Sequence, residues 1–184
     1  MTFTEVAVVL LIISIMSTMG VLVYRETRIQ LRLHEGAQNL KQSMDLARTL
    51  AMRRGNFFAV RIHLATGTFW LDEYQLDTTS GTPQLALYKP HVVTEKTLPV
   101  LVRVEDASVQ RLFDSTLGDG RTTDYAYPYS DEMIDIFFNP SGTSDYAVLH
   151  LIQNTKDPLT DTNIYTVKLY SSTARAHVFE KERR

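Results

Sequence analysis

The sequence predicts an α+β fold: one long N-terminal α-helix packed on an antiparallel β-sheet. Three observations predict it. Residues 1–54 contain no proline and carry helical patterning throughout. Every strand signal falls after them, and turn chemistry separates those signals at short intervals. A helix followed only by strands is the order of an α+β domain, with the sheet covering the helix's apolar stripe. Three segments result: an apolar helix over 1–24, its amphipathic continuation over 25–55, and a β-rich domain over 56–184.

The opening run, Met1-Thr-Phe-Thr-Glu5 through Tyr24, is the most constrained segment. Between Glu5 and Arg25 no side chain is charged, which leaves 19 uncharged residues from Val6 to Tyr24. At a rise of ~1.5 Å per residue they span about 28 Å, near the ~30 Å apolar thickness of a bilayer, so a membrane-spanning helix is expected. Val6, Val9, Leu10, Ile13, Met16, Gly20 and Tyr24 lie along this helix, and Gly20 is its weakest point for bending. An ionised carboxylate at the edge of such a segment costs several kcal/mol without a partner. A plain anchor gains nothing from Glu5, which suggests a second destination where a positive group meets it. A secretory signal peptide fits poorly, because Lys and Arg are absent before Arg25 and the run passes directly into helix-forming sequence. That absence also suggests that a basic leader has been removed and that Met1 is the mature N-terminus.

After Arg25 the helix becomes one-sided. Leu33, Ala37, Leu40, Met44, Ala47 and Ala51 recur at steps of four and three, with Arg32, Glu35, Lys41, Asp45 and Arg48 between them. Arg48 lies well off the stripe around the helix and is expected to be a surface residue of little consequence for stability. The small residues favour close packing against a sheet over a coiled coil. Arg53 and Arg54 complement the C-terminal end of the helix, and Gly55 is its stop.

The strands begin at once. Phe57–His63 and Thr68–Tyr74 flank Leu64-Ala-Thr-Gly67 as a hairpin. Leu98–Val104 alternates as a further strand. Met133–Phe138, Tyr146–Ile152, Asn163–Tyr170 and Ala174–Glu180 read as an antiparallel meander, with Asn139-Pro-Ser-Gly142 as its first turn.

Composition narrows the function. About 160 residues follow the apolar helix, enough for one sizeable core. A net charge of −2 argues against a general nucleic-acid binder, and none is assigned as a partner. The chain has no cysteine, hence no disulfide framework, thiolate nucleophile or Cys-based metal site. His34, His63, His91, His150 and His177 stand at no metal-ligand spacing. Asp114, Asp119, Asp124, Asp131 and Glu132, and later Asp157 and Asp161, lack the ligand spacing and central glycine of a calcium loop. Neither metal nor cofactor is expected. Tyr125-Ala-Tyr-Pro-Tyr129 is an aromatic cluster suited either to contact or to core packing. No phosphate loop, nucleophile elbow or zinc-protease helix occurs, so no catalytic residue is assigned.

The N-terminal residues resemble the type IV pilins and type II secretion pseudopilins after leader removal. Met1, Thr2, Glu5 and the β-branched apolar run carry the match, and Leu22 stands where many pilins have a kinking proline. A second resemblance, to the H-class and FimT-like minor pseudopilins, rests on Ala47-Arg-Thr-Leu-Ala51, Ala65-Thr-Gly67 and the turn of Phe138, Pro140 and Gly142. The usual glycine of the final hairpin is replaced by Ser171-Ser-Thr-Ala174.

The resemblance implies a pilin fold and a structural subunit of a helical filament. It implies that a prepilin peptidase cleaves before Met1 and methylates its amine, and that the subunit waits in the bacterial inner membrane with its C-terminal domain outside. An assembly platform with its ATPase would then move it into a periplasmic or extracellular filament, beside its own copies or other pilin-like subunits. There Glu5 would pair with a neighbour's Met1 amine. Pilus, secretion pseudopilus and DNA-uptake filament are equally compatible. A membrane-anchored extracytoplasmic binding or sensor domain that does not polymerise is the alternative.

Overall fold

The computed structural model describes residues 3–78, 84–112, 124–128, 133–153 and 164–180, with the side chains of 18–26 and 124–128 excluded. One helix, α1 (Phe3–Arg54), is followed by β1 (Phe57–His63), β2 (Thr68–Asp77), β3 (Gln84–Thr97), β4 (Val102–Gln110), β5 (Asp124–Pro128), β6 (Met133–Phe138), β7 (Tyr146–Gln153), β8 (Tyr165–Tyr170) and β9 (Arg175–Glu180). The α+β order is as expected.

The helix ends where its chemistry says it should. Gly55 adopts φ 69°, a conformation that costs glycine least, and its N–H donates to Ala51 O at 3.0 Å. Gly67 closes the first hairpin in the same way, with φ 67° and an N–H bond of 2.9 Å to His63 O. The amphipathic stripe is buried throughout: Leu33, Ala37, Leu40, Met44, Ala47 and Ala51 are all inaccessible to solvent.

Two antiparallel sheets, rather than one, cover that stripe. The first has the order β3-β2-β1-β6 and the second β5-β4-β7-β8-β9. The helix packs against β1 of the first and β7, β8 and β9 of the second. The expected late meander therefore holds only for β7-β8-β9, because β6 leaves it to pair with β1. Register explains the exchange. Phe58, Val60 and Ile62 lie opposite Phe138, Ile136 and Ile134, so the pairing joins two apolar faces into one layer. On the other face the same register sets Arg61 opposite Asp135. The first sheet supplies the aromatic core side chains Phe58, Phe69 and Phe138, and the second supplies Leu149, Leu151 and Leu169 together with the small Ala107, Ala147 and Ala176.

Three further expectations need correction. The strand placed at Leu98–Val104 starts at Val102, since Leu98–Leu101 form a turn closed by Val102 N–H to Pro99 O at 3.0 Å. Between residues 75 and 132, where Leu98–Val104 is the one strand expected, the chain also forms β3, irregular in its register with β2, and β5. Arg48 is half-buried rather than a free surface residue, and among the described residues its Nε has no hydrogen-bond partner.

The membrane-spanning expectation for residues 1–24 is not supported: among the described residues no helix is long and apolar enough to cross a membrane. The described apolar side chains run from Phe3 to Ser17, about 22 Å of helix at ~1.5 Å per residue.

The packing gives a direct stability test. Leu40→Ala is expected to cost ~2–5 kcal/mol, the range for a fully buried leucine. Gln42→Ala, on the exposed side, is expected to change stability by no more than about 0.5 kcal/mol. Denaturant titration of both variants measures the difference. Equal small effects would mean that the stripe is not core.

Candidate assembly interface

The N-terminal part of α1 presents exposed apolar side chains. Val6, Val8, Val9, Leu10, Leu11, Ile12, Ile13, Ile15 and Met16 are all exposed, Leu10 at 62% and Met16 at 70%. They occur at nearly every position, so the apolar surface surrounds the helix instead of forming a stripe. Fully covering one such side chain is worth ~1.5–3 kcal/mol, so covering the segment is worth on the order of 10 kcal/mol. A continuous exposed surface of this kind marks an interaction site.

Glu5 sits in the first turn of α1. There the helix dipole favours a carboxylate by a few tenths to about 1 kcal/mol. The structure therefore brings Glu5, Val6, Val9, Leu10, Ile13 and Met16 onto one exposed helical segment. Met1 lies outside the described residues. Gly20 and Tyr24 are in the helix, and their surroundings lie outside the described side chains.

Of the other residues weighed from the sequence, the five histidines are described and most of the acidic loop residues are not. Among the described residues no group of three or more His, Asp or Glu side chains is arranged to hold a metal ion. Asp114, Asp119, Asp131, Glu132, Asp157 and Asp161 lie outside the described residues, as do the side chains of Asp124 and of the tyrosine cluster at 125–129. His150 instead pairs with Asp106 across β4 and β7.

Three polar ties were not anticipated from the sequence. At the helix end, Glu73 accepts from Arg54 Nη1 at 2.7 Å and from Asn56 Nδ2 at 2.6 Å, fixing α1 to β2. On the first sheet, Arg61 donates to both oxygens of Asp135, from Nε at 2.6 Å and Nη2 at 2.8 Å, and to the Tyr74 hydroxyl at 2.8 Å. Hydrogen bonding to Asp135 holds the guanidinium charged, while burial and then Asp135 push the Tyr74 hydroxyl up to about 12. Asp72, also on this face, accepts from Trp70 Nε1 at 3.2 Å and from the His91 N–H at 2.8 Å, pinning β3 to β2. The third tie is Asp145. Its carboxylate accepts from the N–H groups of Leu112 and Phe137, each at 2.9 Å, and so joins the end of β4 to β6 across the two sheets. Burial pushes this carboxyl up to about 6 against the pull of those amides. Polar residues at alternate positions of β1 and β2 were the available signal for the Arg61 group, and they named no partners.

The fold is similar to that of solved structures. The minor pseudopilin EpsH from the type II secretion system of Vibrio cholerae aligns with a TM-score of 0.53 and 18% identity, covering 83% of this chain and 99% of EpsH. The chain has the pseudopilin fold. A second crystal structure of EpsH gives a TM-score of 0.53 at 17% identity, covering 85% of this chain and 99% of that one. The type IV minor pilin FimU from Pseudomonas aeruginosa aligns at 11% identity and a TM-score of 0.49, over 82% of this chain and 90% of FimU. No protein-family model and no curated protein matches the sequence. Within the pseudopilin fold, the ties at Glu73, Arg61 and Asp145 lie in the β-domain and hold the helix and the sheets in place.

Two outcomes follow for these ties. Arg61→Met leaves Asp135 and Asp72 without their cation and is expected to destabilise the domain by on the order of 3 kcal/mol, read from denaturant midpoints. Asp145 binds its proton more tightly folded than unfolded. Its contribution is fully present below the unfolded pKa near 4 and is lost as pH rises through about 6. Stability is therefore expected to fall between pH 4 and 6 by on the order of 2 kcal/mol from this group. In Asp145→Asn that slope disappears; an unchanged slope would assign it to other residues.

Proposed function

We propose that this chain is a structural, non-enzymatic subunit of a type IV pilus-like filament or type II secretion pseudopilus, of the H-class minor type. The observation that carries the reading is the uncovered apolar half of α1 on a domain with the pseudopilin fold. Such a surface has to be covered, and the cheapest cover is the same surface on a neighbouring subunit. Before assembly, the uncharged run Val6–Tyr24 supports lipid of the inner membrane as the cover, with the β-domain outside. Prepilin peptidase would free and methylate the Met1 amine, and the assembly platform with its ATPase would transfer the subunit into the filament.

Within the bundle, Glu5 meets the Met1 amine of a neighbour. The two charges lose water together, and at ~4 Å their attraction offsets that loss by some kcal/mol. Most of the cohesion comes from the apolar side chains; the charge pair sets axial register, because any other stagger strands both charges.

The test is Glu5→Val, which keeps the apolar helix and removes the charge. Expression is expected to be unaffected, while incorporation into sheared filaments falls by on the order of tenfold or more. Incorporation equal to that of the native chain would sink the pairing. A protein that reaches the envelope yet never enters a filament in either form would instead be an anchored, non-polymerising domain.

A further inference from the structure

A second apolar feature stands beside the helix at the shoulder of the β-domain. The turn between β3 and β4 carries Val100 at 73% exposure and Leu101 at 40%. Leu101 adopts φ 75°, a left-handed conformation that glycine accepts far more readily than leucine. Among the described residues the Leu101 side chain is not part of the buried core, so core burial does not repay that strain. The turn is nevertheless held rigid. Arg32 Nη1 donates to Val100 O at 3.1 Å, and Leu98 N–H donates to Gly67 O at 2.9 Å. Pro99 presses on the helix at Gly36, where a Cβ would come within 3.3 Å of the proline ring. Leu31, adjacent to Arg32 on the helix, is exposed as well. Two apolar side chains are thus displayed on a braced, strained tip that points them at solvent. Strain retained in this way is expected at a contact site.

We propose that the Val100–Leu101 tip is a docking point for the apolar N-terminal helix of a second copy of this chain. The occupant follows from what the molecule itself leaves exposed: the apolar side chains Val6, Val8 to Ile13 and Met16 form the large solvent-facing apolar surface among the described residues. Parallel neighbours bring the two together when one is displaced along the helix axis by about 30 Å, the ~1.5 Å rise per residue taken from Ile12 to Arg32. The tip then works as an axial stop, adding a side-to-side contact at the level where the bare helix gives way to the covered one. This rests on the assembly reading above and adds a specific contact to it.

The chain has no native cysteine, so engineered pairs report without background. Full-length Val100→Cys protein is mixed with full-length Val9→Cys, Ile12→Cys or Met16→Cys protein in membranes of assembling cells and mildly oxidised. A disulfide-linked dimer between the Val100→Cys chain and at least one helix variant is the expected result. Self-crosslinking of Val9→Cys serves as the separate report on assembly. If Val9→Cys crosslinks and Val100→Cys joins none of the three, the docking proposal is overturned while the assembly reading stands. If neither crosslinks, both fall. Leu101→Gly, which relieves the backbone strain, is expected to keep or raise the melting temperature while lowering the Val100→Cys crosslink yield severalfold. An unchanged yield in that folded variant would also overturn the proposal.

Discussion

The packing of one helical stripe against two sheets is the constraint on which the rest of this molecule depends. Leu33, Leu40 and Met44 fill space, whereas Ala37, Ala47 and Ala51 let strands approach the helix closely. Because the stripe touches β1 on one side and β7–β9 on the other, neither sheet has a complete core without it. Removing the helix would expose two apolar sheet faces at once. Burial of this shared core is the dominant favourable term in folding, and it is non-directional. Direction comes from the polar ties.

Those ties sit where apolar contact alone would leave slack. Glu73 gathers Arg54 and Asn56 and stops the helix end from rolling on β2. The Arg61 fork joins β1 to β6 through a cross-strand partner that the sheet register places directly opposite. Asp145 satisfies two backbone amides at a point where one strand ends and another belongs to a different sheet. Each tie costs desolvation, and each specifies one arrangement among several that the apolar residues would tolerate.

The same helix then does two jobs because its burial changes along its length. From Leu33 onward its apolar stripe is buried within the chain, whereas the described apolar side chains from Val6 to Met16 are exposed. The helix thus joins a domain with its own buried core to an apolar surface that the described residues leave exposed. The rigid turn at Pro99–Leu101 lies near the boundary between these regimes, braced against Gly36 and Arg32. The folded core and the exposed apolar surface are thereby separated along one element, so that buried positions of the β-domain can be altered without touching Val6 to Met16.

The sequence by itself determined the elements whose signals are local. The span of α1, its stop at Gly55, the stripe from Leu33 to Ala51, the first hairpin with its turn at Gly67 and the positions of β6 to β9 all follow from periodicity and turn chemistry within a few residues. The apolar character of the N-terminal half was equally legible, because charge is absent from consecutive positions. Only the tertiary structure decided which strands pair. The move of β6 to β1 depends on matching Ile134, Ile136 and Phe138 with residues more than 70 positions earlier, and strand periodicity carries no record of a partner. Arg61, Asp135 and Asp145 looked like ordinary polar residues for the same reason: their meaning lies in groups brought near by the pairing. Arg48 is half-buried although it lies off the stripe, because burial depends on tertiary neighbours that spacing along the helix does not name. Local propensity fixes what a segment is, while long-range burial fixes where it goes.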